Sequence, residues 1–266
     1  KVNSDGFLYR TSSDLYSYYT DLGWYGKQTQ VVARCFGGSE KTGMGWDGVD
    51  YNTAYGIDGA DRRYNPAGEY TLVGSNGEDS VAYYDNQTDN YSQLHAQLSL
   101  YHRFSSQWSL TATAHYTHGY GYYEQYKKKS FSYWGLPSYT DAGGNEIKKA
   151  YGLYRKHLNN HFYGGIVSAK YISEAIDIQI GGAANHYMGA HYGTLHHLQD
   201  SLYGGSIPVQ YEYYRNNADK VDANIYSKLN WRILQKGKHR LSLYADMQYR
   251  FVRYMRNGLN DEDMQD

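Results

Sequence analysis

The chain has 266 residues, a formal net charge of -1 and a single cysteine, Cys35, which excludes a nucleic-acid footprint built on positive charge and an intrachain disulfide framework. Its 34 Tyr, 29 Gly and 3 Pro sit in a sequence of mean hydropathy -0.79, with no run of about 18 apolar residues, so no helical membrane span is encoded. A transmembrane β-barrel stays open, because it hides its lipid face in every second residue.

Lys1 to Asp5 lacks the basic start and apolar centre of a signal peptide. An exported protein is therefore expected to have lost its start, through maturation or because the chain is a piece of a longer one. Strict alternation then begins, with Tyr16, Tyr18, Thr20, Leu22 and Trp24 set against Ser17, Tyr19, Asp21 and Gly23. That is the period of a half-buried strand. After Gly26-Lys27-Gln28 a weaker strand runs through Val31, Ala33 and Cys35. The clearest hairpin follows: Leu94, Ala96, Leu98 and Leu100 oppose Gln93, His95, Gln97 and Ser99, and beyond Ser105-Ser106-Gln107 the residues Leu110, Ala112, Ala114 and Tyr116 oppose Thr111, Thr113 and His115. Tyr163, Val167, Ala169 and Tyr171 lead into Ile172-Ser173-Glu174, and Ile176, Ile178, Ile180 and Ala184 lead out. Val221, Ala223, Ile225, Leu229 and Trp231 run to Gln235-Lys236-Gly237-Lys238, from which Leu241, Leu243, Ala245, Met247 and Tyr249 return.

This predicts an all-β chain, an antiparallel transmembrane β-barrel, with roughly eight strands in four hairpins. Short turns alternate with long polar segments near 43–90, 123–157 and 188–217, as in outer-membrane barrels with periplasmic turns and extracellular loops. Trp24, Tyr25, Tyr116, Tyr171 and Trp231 fit interfacial girdles, although aromatic residues are also good strand formers. Both termini fall at the loop end, whereas a complete small barrel starts and ends in the periplasm; the expectation is a section of a larger barrel of about 22 strands. Arg34, Asp21, Glu40, Asp177, Lys220, Asp222, Lys228, Asp246 and Arg250 are expected to face the wet interior, since lipid would not tolerate them.

Several phrases resemble TonB-dependent outer-membrane receptors of the Bacteroidetes type: SDGFLYRTSSDLYSYY at Ser4 to Tyr19, RRYNPAGEY at Arg62 to Tyr70, YYDNQTDNY at Tyr83 to Tyr91, GYGYYEQYK at Gly119 to Lys127 and NNHFYGG at Asn159 to Gly165. The resemblance covers the barrel region and implies import of a scarce small-molecule ligand, an iron-siderophore complex first, with haem, cobalamin or a glycan as alternatives. It implies outer-membrane lipid around the barrel, the TonB complex as partner through a plug that these residues do not contain, and leaves a surface lipoprotein partner open. A passive porin or adhesin-like barrel is the rival. No nucleophile-base spacing, phosphate loop, CxxC or HExxH is present, so enzymatic activity is not expected.

Three clusters are candidate sites. His186, His191, His196 and His197 supply imidazoles suited to iron, haem iron or another transition metal, the alternative being a solvated loop. Arg62, Arg63 and Tyr64 with Tyr122, Tyr123, Tyr126 and Lys127 to Lys129 combine guanidinium forks for carboxylates with aromatic faces for planar rings, the alternative being packing among loops. Asp261, Glu262, Asp263 and Asp266 form a carboxylate group of the kind that holds Ca²⁺ at an outer loop, without a complete EF-hand pattern.

Overall fold

Alternation becomes pairing. The computed structural model describes residues 1–73 and 78–259. Strands β1 (Val2–Ser4), β2 (Ser13–Tyr25) and β3 (Thr29–Gly43) precede a short helix α1 (Tyr51–Tyr55), a small hairpin of β4 (Glu69–Val73) and β5 (Asp79–Tyr83), and then β6 (Thr88–Arg103) and β7 (Trp108–Ser130). Next come β8 (Tyr139–Thr140), β9 (Glu146–Ile147), β10 (Lys149–Ile172), β11 (Ile176–Gln199), β12 (Tyr211–Lys236) and β13 (His239–Leu259). Among the described residues, one nine-stranded sheet runs β1-β2-β3-β6-β7-β10-β11-β12-β13, every neighbouring pair antiparallel, and β4-β5 and β8-β9 form two separate ribbons. Its described edges are β1 and β13, and they do not pair with each other.

The tight turns all lie at one end. Gly26 N–H donates to Thr29 O at 2.7 Å, and Ser173 N–H to Ile176 O at the same distance. Ser105 Oγ accepts from the backbone of both Gln107 and Trp108 at 3.1 Å. Between β12 and β13 the chain reverses at Gly237, whose φ of +58° suits a residue without Cβ. The long connections lie at the other end, called the upper end below.

Register separates the faces as alternation requires. Leu98 faces Ala33 and Ala114, Leu110 faces Ala169, and Ile180 lies between Ala169 and Ser227. This outward face leaves Leu22 78% and Met247 72% exposed, a surface that water would not favour. Aromatic residues bracket it: Trp108 packs on Tyr171 at 4.9 Å below, and Tyr116 and Tyr163 are paired above. The strand between Trp108 and Tyr116 rises about 26 Å before tilt, close to the height of a barrel's apolar band. The opposite face is wet. His115 Nε2 meets Asn185 Oδ1 at 2.8 Å, Ser99 Oγ meets Thr113 Oγ1 at 3.1 Å, Lys170 pairs with Asp177 at 3.4 Å, and Arg250 forks onto Asp222.

The strands run further than the polar segments predict. Residues 123–130 and 149–157 are paired strand, as are 188–199 and 211–217, so the connections there shrink to 131–148 and 200–210. Above the apolar band the outward residues need not be apolar, so the period-two signal vanishes while the backbone ladder continues. Two of these connections fold inward. Trp134 and Phe131 are fully buried with Tyr154, Leu195, Leu198 and Tyr213, packed also by Tyr139 and Tyr203. Truncating such a ring to Ala costs about 3–5 kcal/mol.

Tyrosine and glycine are abundant for a common reason. Tyr91 lies over Gly119 and Tyr226 over Gly181, where a Cβ would come within 2.3 and 2.7 Å of the phenol hydroxyls. Glycine leaves a gap on the pleat, and a neighbouring ring lies flat across it, covering backbone that would otherwise be bare.

Candidate functional site

At the upper end the inward face forms a recess of ≈ 320 Å³ lined by Asp89, Tyr91, Tyr123, Lys156, Leu158, His191 and Tyr214, with Tyr122 and His157 also contributing. Five strands supply it: β6 gives Asp89 and Tyr91, β7 Tyr123, β10 Lys156 and Leu158, β11 His191 and β12 Tyr214. Lys156 Nζ stands 5.7 Å from the Tyr133 ring and 5.6 Å from the Tyr214 ring. A cation held between aromatic faces, one carboxylate and one imidazole within a single hollow can bind an anionic or polar planar solute from several sides.

The wall around it is fixed by the first long connection. Glu124 is 2% exposed and accepts from Tyr84 at 2.6 Å, from Asn86, and from Arg155 Nε at 2.6 Å. Burial, the largest single influence, pushes its carboxyl up, but the hydrogen bonds from Tyr84, Arg155 and Asn86 together hold it below the usual carboxylate range. Gln87 Oε1 accepts from Tyr126 N–H at 3.0 Å, Lys127 Nζ binds Asp47 at 2.6 Å, and Trp46 meets Tyr123 edge-on at 5.4 Å. Buried Asn65 donates to the carbonyls of Tyr9 and Met44 at 2.8 and 2.9 Å. The connection is a scaffold clamped to the strand tops.

Of the basic and aromatic group predicted from sequence, the recess takes in Tyr123, with Tyr122, on the outward side of the pleat, only at its border. Arg62 and Arg63 lie elsewhere: Arg62 Nε reaches Ala54 O at 3.4 Å, and Arg63 donates to Phe7 O at 3.0 Å while its guanidinium covers the Tyr9 ring at 4.7 Å. Tyr64 is bonded to Glu69, and that bond pushes its phenol up to about 12. Tyr126 is occupied by Tyr70, Tyr84 and Tyr151 and donates to Gln199 at 2.6 Å. Lys128 covers Tyr151 and Lys129 covers Tyr133. Closeness in composition is not closeness in space, because Arg63 fastens Phe7 and Tyr9 to the connection while Arg62 and Tyr64 bind within it, at Ala54 and Glu69.

The histidines also separate. His191 reaches the recess, but His186 faces outward, bonded to Tyr163 and Asp219. His196 occupies a bulge opposite Leu153 and Tyr154 and meets Thr194 Oγ1 at 3.0 Å, and burial followed by the Arg155 charge pushes it down. His197 is exposed on the outward side. Alternation and the bulge disperse them, and no group of three or more metal-binding side chains converges among the described residues. Asp261, Glu262, Asp263 and Asp266 lie outside the described residues.

Sequence reasoning missed Asp89, Tyr91, Lys156 and Tyr214. A usable signal existed: counting by twos from inward Lys170 reaches Lys156, and from Gln93 reaches Tyr91 and Asp89.

No family model and no curated protein matches this chain. Among solved structures it is similar to BauA, the ferric preacinetobactin receptor from Acinetobacter baumannii, with TM-score 0.52 and 10% identity over 96% of this chain and 36% of that one. It also aligns with Fiu, the ferric-catecholate import receptor from E. coli K12, with TM-score 0.43 and 7% identity over 95% of this chain and 42% of that one. The chain thus spans little more than a third of the length of BauA, and the likeness is one of fold: an antiparallel sheet like part of a barrel wall.

Proposed function

We propose that this chain is part of the barrel wall of a TonB-dependent receptor in the outer membrane of a Gram-negative bacterium, binding a scarce small-molecule ligand and importing it past a plug. The observation that carries the reading is the inward recess around Lys156, Tyr123 and His191, placed well above the apolar band of a wall similar in fold to part of the ferric preacinetobactin receptor BauA. An iron-siderophore complex is the preferred cargo, since such complexes are commonly anionic and planar at their chelating groups, which suits an ammonium between tyrosine rings. The chemistry is capture and release, with work delivered through TonB; no bond is made or broken.

Uptake of radioactive iron supplied as a catecholate or hydroxamate complex, by iron-starved cells expressing the full-length protein, tests this. Uptake should require TonB and fall strongly in Lys156→Ala. Accumulation that persists without TonB would overturn energised import and leave a passive pore. Wild-type uptake in Lys156→Ala would remove the recess from the binding site. Haem, cobalamin and oligosaccharides, supplied in turn, decide among the remaining cargoes.

A further inference from the structure

The outward wall carries a hollow that an even apolar band would not have. Leu110, Val167, Ile180 and Ile225 wall a trough of ≈ 490 Å³ whose floor includes Gly165 and Ala184. Immediately above, on the same strands and on neighbouring β13, the outward residues turn polar. Tyr163 donates to His186 Nδ1 at 2.8 Å, His186 Nε2 donates to Asp219 at 2.6 Å, and Arg253 stands 3.6 Å from the same carboxylate with 56% of its side chain exposed. Alongside, the Tyr116 hydroxyl meets His161 Nδ1 at 2.9 Å.

Higher still comes a stacked row across four strands. Arg155 covers Tyr122 at 4.3 Å, Tyr122 leans on His157, His157 stacks on Tyr192 at 4.6 Å, and Arg215 covers Tyr192 at 4.3 Å. From Tyr163 to His157 the strand rises about 20 Å, or about 15 Å after tilt. A bilayer's headgroup layer is only about 6 Å deep on each side. The polar and aromatic wall therefore extends well past the reach of a simple phospholipid headgroup, at a height where sugar rings could lie on aromatic faces.

We propose that the outward face of β7 and β10 to β13 holds one lipid with a phosphorylated sugar headgroup. An acyl chain fills the trough, the phosphate meets Arg253, and the sugars continue along the Tyr122, His157 and Tyr192 stack. Continuity with the lipid-covered band argues for a lipid occupant; Arg253, whose partner Asp219 is shared with His186, supplies the charge for the phosphate. The proposal rests on the membrane-wall reading and is independent of the cargo, so a failed uptake assay leaves it standing.

Native mass spectrometry of the full-length protein in dodecyl maltoside, with added synthetic diphosphorylated lipid A, is expected to show one retained lipid. At Gly165 a Cβ meets nothing nearer than Thr113 O at 3.6 Å, so Gly165→Leu fills the trough without disturbing the wall. Gly165→Leu and Arg253→Ala should each lower retention about fivefold. Ile225→Trp, which fills the trough from the other side, reports the same arm if Gly165→Leu fails to show the heat-modifiable gel shift of a folded barrel. Wild-type retention in the folded variants, or no retention in the wild type, overturns the site. Equal retention of phosphatidylethanolamine, lost in the same variants, overturns the phosphorylated-sugar headgroup.

Discussion

His157 lies face to face with Tyr192, ring centroids 4.6 Å apart and planes 5° from parallel, while its Nε2 meets Thr194 Oγ1 at 2.9 Å. The imidazole is thus held above the apolar band by a stack on one side and a hydroxyl on the other. Burial, then the charge of Arg155, pushes its pKa down to about 4.

That value makes His157 a source of acid sensitivity. An unfolded histidine titrates near about 6.5, so between that pH and about 4 the unfolded chain binds more protons than the folded one. The stabilisation is complete above the unfolded value and is lost as pH falls through the folded one. Urea unfolding of the full-length protein from liposomes at pH 7 and pH 5 should show wild type losing stability, and His157→Phe, which keeps a ring in the stack, losing less. Parallel losses in the two proteins would mean that other groups set the acid limit.

Glu124 gives a second acid-dependent contact with a different reach. Its folded pKa lies below the glutamate value, so its contribution is present above about 4.3 and disappears as pH falls through the depressed folded value. Glu124→Gln keeps the shape but leaves Arg155 without its carboxylate; breaking a buried pair in this way costs about 3–5 kcal/mol. Hydrogen exchange should report this locally, with residues 84–88 losing protection in the variant while the tight turns at the opposite end keep theirs. Unchanged protection at 84–88 would show that Asn65 and Gln87 clamp the connection unaided.

The hairpins were legible because the apolar band imposes period two: Leu98, Leu110, Ile180 and Ile225 can point only one way, and their registers agree with that alternation. Inward Asp222 and Arg250 followed as their complement. The upper strands were not legible, since outward Glu124, Tyr122 and His157 are as polar as inward Lys156 and Tyr123, so no hydropathy contrast marks the pleat there. The site suffered most, because a cluster such as Arg62 to Tyr64 looks like a binding motif in sequence, and only the fold shows its groups fastening Phe7, Tyr9, Ala54 and Glu69.

Face assignment can be checked directly on β6. Leu98 is 53% exposed on the outward side, and Gln97 faces Arg34 and His115 on the inward side. A charge at the bilayer midplane costs about 2–4 kcal/mol, so Leu98→Arg should lower the yield of heat-modifiable protein in the outer membrane. Gln97→Glu, placed opposite Arg34, should assemble normally. Equal yields would reverse or abolish the assigned faces.

Two glycines on β7 separate the wall's integrity from its recess. A Cβ at Gly121 would lie 2.1 Å from Asn90 O, a backbone atom that cannot retreat without breaking the β6-β7 ladder. At Gly119 the obstacle is the Tyr91 hydroxyl at 2.3 Å, the far end of a side chain that can swing away. Since Tyr91 also lines the recess, Gly119→Ala should drive its ring off the pleat and into the ligand space. The expected result is normal assembly with weakened ligand uptake for Gly119→Ala, and poor assembly for Gly121→Ala. Adding Tyr91→Ser to Gly119→Ala removes the displaced ring and should restore part of the uptake if the ring acts by obstruction. If the double variant is as poor as Gly119→Ala alone, Tyr91 is needed as a contact to the ligand, and the ring over Gly119 is in its working position.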